Sequence, residues 1–426
     1  MTKEIACKKN KQVVLLVHFG DPQFRGSERC LLNLIKGIDL TNYSIVLWSN
    51  HESLSDAVGH LATEIVLDDF PSPFSYDPTK PISERLFESF GLISKARKLI
   101  KRTRPTLIIC NSLAPCQWML PASIFAGIPL LVYLHSTYLP KSRLLSFAFG
   151  ASHLIAVSKF SVENFLADGF PEKNFSVIYS GVDDLSNPKL LTRPNLRQDL
   201  GIGADEFVLA SLSALVKVKN VDLIIEAFKR AASFPGQKMA LIIVGDGPCF
   251  KELQARAEGY RIFFCGWRDD PSNILAAADC FISATEREAL GLSILEAASM
   301  ELPLIGARAG GVVEVIVDGE TGLLADRGNL GSFANCMIQL RDDPDFRTKL
   351  GRSARQSFEQ RFQVKRMQCE INALIDRYSN QEKHDIRNLI ERTFRLAKLS
   401  LRLTVSRIFP AKYSDRDMQL KECIIK

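Results

Sequence analysis

Glu288 and Glu296 have seven residues between them in the run Glu288-Ala289-Leu290-Gly291-Leu292-Ser293-Ile294-Leu295-Glu296. A loop that turns into a helix accounts for this spacing. Glu288 would sit on the entering loop and Glu296 two turns along, facing the same cleft. With about 1.5 Å of rise per helical residue, the two acceptors would lie roughly 10 Å apart. Such a pair suits a ligand with hydroxyl groups at both ends, as a nucleotide sugar has on its hexose and its ribose. Two ordinary glutamates on a solvated helix face would give the same short pattern, because short motifs recur by chance.

The neighbouring segments favour the ligand reading. Upstream, the run from Met239 to Val244 is a buried strand that ends in the turn Gly245-Asp246-Gly247-Pro248 and opens a helix at Cys249 to Ala257. A second strand, Cys280 to Ser283, leads directly into the Glu288 loop. Downstream, Gly310-Gly311-Val312-Val313-Glu314 follows a strand from Pro303 to Ala307. Glycines in such turns let backbone N–H groups approach an anion without Cβ interference. Strand ends at the spacing of βα units are where ligands of open α/β sheets bind. Gly245 and Gly247 do not make a dinucleotide fingerprint, because Phe250 stands at the third glycine position and no ribose-binding acid ends the next strand, at Cys265.

Taken together, these motifs resemble a retaining glycosyltransferase of family 4, with the GT-B fold of two Rossmann-like domains facing a cleft. The resemblance also rests on Ser176 to Asp183 and the Lys219 region, and more weakly on Arg25-Gly26-Ser27-Glu28-Arg29 and His135. It runs to about Tyr378. It implies an α/β architecture of an acceptor-binding domain over residues 1–183 and a nucleotide-sugar-binding domain over 184–362. A crossover helix over 363–379 would pack back on the first domain, leaving a basic amphipathic tail over 380–426.

The resemblance also implies roles. Glu288 would touch hydroxyls of the donor sugar, Glu296 the ribose, Lys219 the diphosphate, and His135 would lie beside the donor sugar at the reaction centre. Gly26, Gly245 and Gly247, with Ala289, Leu290, Gly291 and Leu292, would line the donor site. Backbone N–H groups at the helix N-terminus there favour a diphosphate. Glu286 is expected to be a solvated loop charge. The implied transfer uses no covalent protein nucleophile and no bound metal, and the departing diphosphate helps to deprotonate the acceptor. Two departures stand out. Ala214 occupies the position where the family usually carries an arginine, five residues before the lysine, which removes a bidentate diphosphate contact. Arg25-Gly26 replaces the family's Gly-Gly, so Arg25 or Lys217 could compensate. A catalytically weakened protein that binds glycan or partners without turnover is the alternative that Ala214 leaves open.

Composition is compatible with this reading. A chain of 426 residues exceeds a single core, and 46% apolar with 24% charged residues is an ordinary globular balance. Ten cysteines show no Cys-x-x-Cys pair, which suggests reduced, buried thiols and a cytoplasmic protein. Six histidines, none at ligand spacing from a cysteine, give a zinc site little support. The N-terminus lacks the apolar stretch of a signal peptide. The span from Leu113 to Tyr133 is the nearest approach to a membrane segment, but Pro115, Pro121, Gly127 and Pro129 break it.

The tail has its own pattern. Ile386, Ile390, Phe394, Ala397, Leu401, Val405 and Ile408 recur at steps of four and three, flanked by Arg387, Arg395, Lys398 and Arg402. Residues Lys383 to Arg407 hold seven Lys/Arg against two Asp/Glu, a net +5 that accounts for most of the chain's +6. The bulk charge therefore does not point to nucleic acid. A basic amphipathic helix can lie on an anionic membrane at its inner face, or dock on the protein or a partner. The expected partners are thus a nucleotide-sugar donor, a saccharide or lipid-linked acceptor, and an anionic membrane surface.

Overall fold

The computed structural model describes residues 11–70, 82–187, 196–380 and 390–396. The expected loop beyond Phe70 and the Asp184 to Pro194 linker after Asn187 lie outside the described residues. Of the tail, residues 381–389 and 397–426 lie outside the described residues. The chain forms two compact units, one reaching to Ile178 and resuming at Met367, the other spanning Tyr179–Arg366.

In the first unit the strands are β1 (Gln12–His18), β2 (Tyr43–Ser49), β3 (Glu64–Leu67), β4 (Leu107–Asn111), β5 (Leu130–Leu134), β6 (His153–Ala156) and β7 (Phe175–Val177). They form one sheet in the order β3-β2-β1-β4-β5-β6-β7, and every pairing is parallel. A parallel sheet covered on both faces needs strands that are apolar throughout. Val14, Leu15, Leu16 and Val17 of β1 are all fully buried accordingly. The sheet order reverses between β1 and β4, so the crevice beyond His18 and Asn111 is a ligand-binding position in folds of this kind.

The second unit repeats the plan with β8 (Phe207–Leu212), β9 (Met239–Val244), β10 (Ile262–Phe264), β11 (Cys280–Ser283), β12 (Leu304–Ala307) and β13 (Gly322–Ala325). Their order is β10-β9-β8-β11-β12-β13, again parallel. Here the reversal falls between β8 and β11. Cys265, expected within a strand, lies just past the end of β10. Cys110 and Cys280 are fully buried, and burial raises both thiols well above their ordinary range.

The segment Leu113 to Tyr133 divides as its prolines require, into the helix Cys116–Ala126 and strand β5. Gly127 ends the helix in the left-handed conformation at φ 63°, a position that favours glycine. The helix Val364–Ser379 returns to the first unit, where Gln368 donates to Asn33 O at 2.8 Å and Asn372 to Gly37 O at 2.6 Å. These side chains bond carbonyls at the C-terminal end of the helix Gly26–Gly37, where intrahelical donors run out.

Residues 390–396 are helical and dock on the first unit by an arginine. Arg392 is 3% exposed and donates to Gly150 O at 2.7 Å, Ile128 O at 3.2 Å and Ser123 Oγ at 2.9 Å. Burial lowers its pKa to about 10. Ile390 and Phe394, expected as the apolar stripe, point outward at 60% and 68% exposure. Arg395, expected to flank that stripe, donates to Ala151 O and stands over the Phe170 ring.

Candidate active site

In the second unit the crevice between β8 and β11 brings two of the expected residues together. Lys219 closes the short turn Lys217–Lys219 after β8, and Glu288 lies on the loop after β11. Lys219 Nζ donates to Glu288 Oε2 at 2.5 Å, with the two side chains 25% and 21% exposed. The pair is thus held inside the crevice yet open to solvent. Asn220, at φ 49°, turns the chain into the helix Val221–Ala232 and donates to Ala284 O and Glu286 Oε1 at 3.3 Å and 3.2 Å. Glu286 is therefore not a solvated charge. It is half-buried between Asn220 and Arg327 and ties the two loops to each other.

The loop from Glu288 to Gly291 enters the helix Leu292–Ser299, with Gly291 as N-cap at φ 94°. Ala289 and Leu290 are buried, and Glu296 lies on that helix at 4% exposure. The Gly310-Gly311 turn supports the loop from behind. Gly311 N donates to Glu288 O at 2.8 Å, and a Cβ on Gly311 would fall 1.8 Å from Ala289 O. Gly245 and Gly247 serve a similar close approach. A Cβ on Gly245 would lie 1.9 Å from Ser213 O, and one on Gly247 2.5 Å from Leu215 O. The glycines let the loop after β9 press against the segment that carries Ala214 towards Lys219. Ala214 is half-buried, and Lys217 is exposed on the same turn as Lys219.

In the first unit Gly26 opens the helix Gly26–Gly37, and His135 follows β5. Asn111, at the end of β4, is joined to both regions. Its Oδ1 is 2.6 Å from His135 Nε2, and its Nδ2 is 3.4 Å from Ser27 O. Burial lowers the His135 pKa to about 3. Burial pushes the Glu28 carboxyl up, but His18, Ser27 and the Arg25 N–H outweigh it and hold it at about 2. Arg25, the suggested stand-in for the missing arginine, is occupied on its own loop by Gln23 and lies 3.8 Å from Asp21. The network of His18, Glu28 and Asn111 was not foreseen; a histidine, a glutamate and an asparagine in separate segments carry no spacing signal.

Comparison with known proteins agrees with this geometry. The sequence model of Glycosyltransferase Family 4 matches residues 24–184, and that of Glycosyl transferases group 1 matches residues 192–357. The chain belongs to glycosyltransferase family 4. Its relatives include N-acetyl-alpha-D-glucosaminyl L-malate synthase of Bacillus anthracis, 27% identical over 67% of this chain and 78% of that one. The lipopolysaccharide core biosynthesis glycosyltransferase LpsE of Rhizobium meliloti is 34% identical over 36% of this chain and 45% of its own length. Among solved structures, Anabaena HepE in complex with UDP-glucose superposes with a TM-score of 0.71 at 23% identity, covering 86% of this chain and 99% of that one. WaaG, a glycosyltransferase involved in lipopolysaccharide biosynthesis, gives 0.62 at 17% identity over 85% and 99%. The glycosyltransferase thus has the two-sheet GT-B fold. Among its described residues no helix is long and apolar enough to cross a membrane.

Proposed function

We propose that this glycosyltransferase is a retaining, metal-independent hexosyltransferase that uses a nucleoside-diphosphate sugar. Its acceptor is a saccharide or lipid-linked saccharide in cell-surface polysaccharide synthesis. The observation that carries the donor assignment is the Lys219–Glu288 pair. A ligand can displace such a pair without loss only if it offers an anion to the ammonium and a hydroxyl to the carboxylate side by side. A sugar joined to a diphosphate does so. Glu296 would then hold the ribose, and the N–H groups from Ala289 to Leu292 would face the diphosphate. HepE forms complexes with UDP and glucose and with UDP-glucose, which supports the same donor class.

In the proposed transfer the bond from the anomeric carbon to the phosphate oxygen breaks while the bond to the acceptor oxygen forms on the same face. The acceptor proton passes to the departing diphosphate. Lys219 stabilises the charge that grows on that leaving group, and the protein's share is positioning and electrostatics. We place the protein in the cytoplasm, held reversibly at the inner face of the membrane, a reading supported by the outward Ile390 and Phe394. Calorimetric titration with a panel of nucleoside diphosphates and their sugar conjugates tests the donor assignment. The wild type should bind a conjugate more tightly than the matching diphosphate, and Glu288→Ala should erase that difference alone. Equal affinities in the wild type for every matched pair would sink it.

A further inference from the structure

The first unit holds a closed polar cluster at its own sheet reversal. His18 ends β1, Asn111 ends β4 directly beside it in register, and both are 1% exposed. Glu28, on the first turn of the helix Gly26–Gly37, is 2% exposed. Burying this many polar groups is costly unless each finds a partner. The partners form a chain of contacts, and the hydrogen-bond inventory of each group decides where the protons are.

The asparagine amide sets the direction. Its Nδ2 faces Ser27 O, which can only accept, so the amide nitrogen must lie on that side. The same Nδ2 reaches His18 Nδ1 at 2.9 Å, so that ring nitrogen accepts and carries no proton. Asn111 Oδ1 then faces His135 Nε2 at 2.6 Å, and because Oδ1 can only accept, Nε2 must carry the hydrogen. At the far end His18 Nε2 is 3.1 Å from Glu28 Oε1. It makes no well-directed hydrogen bond there, but the carboxylate favours a proton on that nitrogen. Glu28 is fixed in turn by Ser27 Oγ at 2.8 Å and by the Arg25 N–H at 2.9 Å.

The cluster is sealed by backbone. A Cβ on Gly20 would stand 2.6 Å from His18 Nε2 and 2.8 Å from Glu28 Oε1. Asn50 holds Gly20 there through a reciprocal pair of hydrogen bonds at 3.0 Å and 2.9 Å. His51 packs on His18 with ring centroids 5.9 Å apart, and Tyr133 packs on His135 at 4.1 Å. Among the described residues, His135 Nδ1 is buried without a hydrogen-bond partner.

We propose that Asn111, His18 and Glu28 form a buried positioning relay that holds His135 neutral, with its proton on Nε2. The relay rests on the reading of His135 as a residue of the reaction centre. Its chemical purpose follows from the transition state of glycosyl transfer, in which positive charge gathers on the ring oxygen and anomeric carbon. An imidazolium beside that centre would oppose the charge; a neutral, oriented ring does not. The relay lets the anionic Glu28 orient the ring through two intermediates without standing next to it, where its charge would draw a proton onto His135.

Two measurements test it. Long-range nitrogen–proton spectra of histidine-labelled full-length protein, assigned with His135→Gln, should show His135 protonated on Nε2 and bare on Nδ1 at pH 7. The opposite tautomer, or an imidazolium, overturns the relay. Asn111→Asp places a carboxylate against Nε2 and should give kcat a new acid limb with its midpoint above the ordinary histidine value of about 6.5. About 10-fold of kcat should be lost at pH 7, with KM for the donor little changed. A kcat profile that matches the wild type overturns the relay. Wild-type turnover in His135→Ala would instead remove His135 from the reaction centre, while the tautomer measurement still decides the relay.

Discussion

Lys219 Nζ and Glu288 Oε2 meet at 2.5 Å although 69 residues separate them in the chain. Strand order makes the contact, since β8 and β11 are neighbours and each sends its loop into one crevice. A partly exposed pair of this kind adds at most about 1 kcal/mol to stability, so its removal should spare the fold. We expect Glu288→Ala and Lys219→Ala each to lower transfer by about 100-fold or more, the scale of a lost charge-stabilising contact. Their melting temperatures should stay within a few degrees of wild type. Near-normal turnover of both variants at saturating donor would remove this pair from the site.

Glu296 differs because it is buried on its helix at 4% exposure. Glu296→Gln keeps the shape while changing the acceptor, so it separates binding from packing better than alanine does. The expected outcome is an approximately 10-fold weaker Kd for nucleoside diphosphates, equivalent to about 1.4 kcal/mol. Calorimetry that gives the same Kd for both proteins would move the ribose elsewhere.

Ala214 and the proposed metal independence are tested together. Transfer should persist in excess EDTA, because Lys219 and the backbone N–H groups carry the diphosphate charge. Ala214→Arg should then change donor affinity by less than 10-fold if Lys217 already compensates, and a large gain in turnover would identify an impaired native site. Loss of activity in chelator, restored by magnesium or manganese, would show that a cation takes the place of the arginine.

His153 offers a pH signature. Its ring is fully enclosed, with Nδ1 against Tyr378 Oη at 3.0 Å and Nε2 against Ser176 Oγ at 2.9 Å. Burial, with help from Arg377, lowers its pKa to about 4. The unfolded chain, at about 6.5, binds the proton first. Stability from this site is therefore complete above pH 6.5 and is lost as pH falls towards 4. His153→Gln should flatten the fall in melting temperature across that window by about one proton's worth of slope. His135 supplies a second such proton, so the slope should not vanish. An unchanged slope would mean that His153 is protonated in the native protein.

Among the described residues of the tail, Ile390 and Phe394 form the apolar face open to a membrane. Truncation would also remove Arg392 and uncap the carbonyls of Ile128 and Gly150, so a face-selective variant is the cleaner probe. Ile390→Glu with Phe394→Glu should abolish sedimentation with anionic vesicles at low salt and leave transfer to a soluble acceptor unchanged. Equal sedimentation of variant and wild type would assign the contact to another surface.

Much of the architecture was legible in the residues because it is local. The run Val13 to Val17 has no polar break, as a strand covered on both faces requires, and Pro121, Gly127 and Pro129 had to divide the apolar stretch from Leu113 to Tyr133. Glu288 and Glu296 were placed on loop and helix by the Gly291 turn between them. What tertiary structure alone decided is which distant segments share a crevice. Glu286 looked like a free loop charge until strand order put Asn220 and Arg327 beside it. Gly245 and Gly247 looked like an anion cradle, yet the close neighbours their missing side chains make room for are the carbonyls of Ser213 and Leu215. Arg392 carried no signal of its own in the tail's pattern, and it is buried because three oxygens of the first unit converge on it. Hydrophobic periodicity records which face of an element is covered. It does not record which element covers it, and hydrogen bonds such as Asn111 to His18 and His135 depend on that second fact.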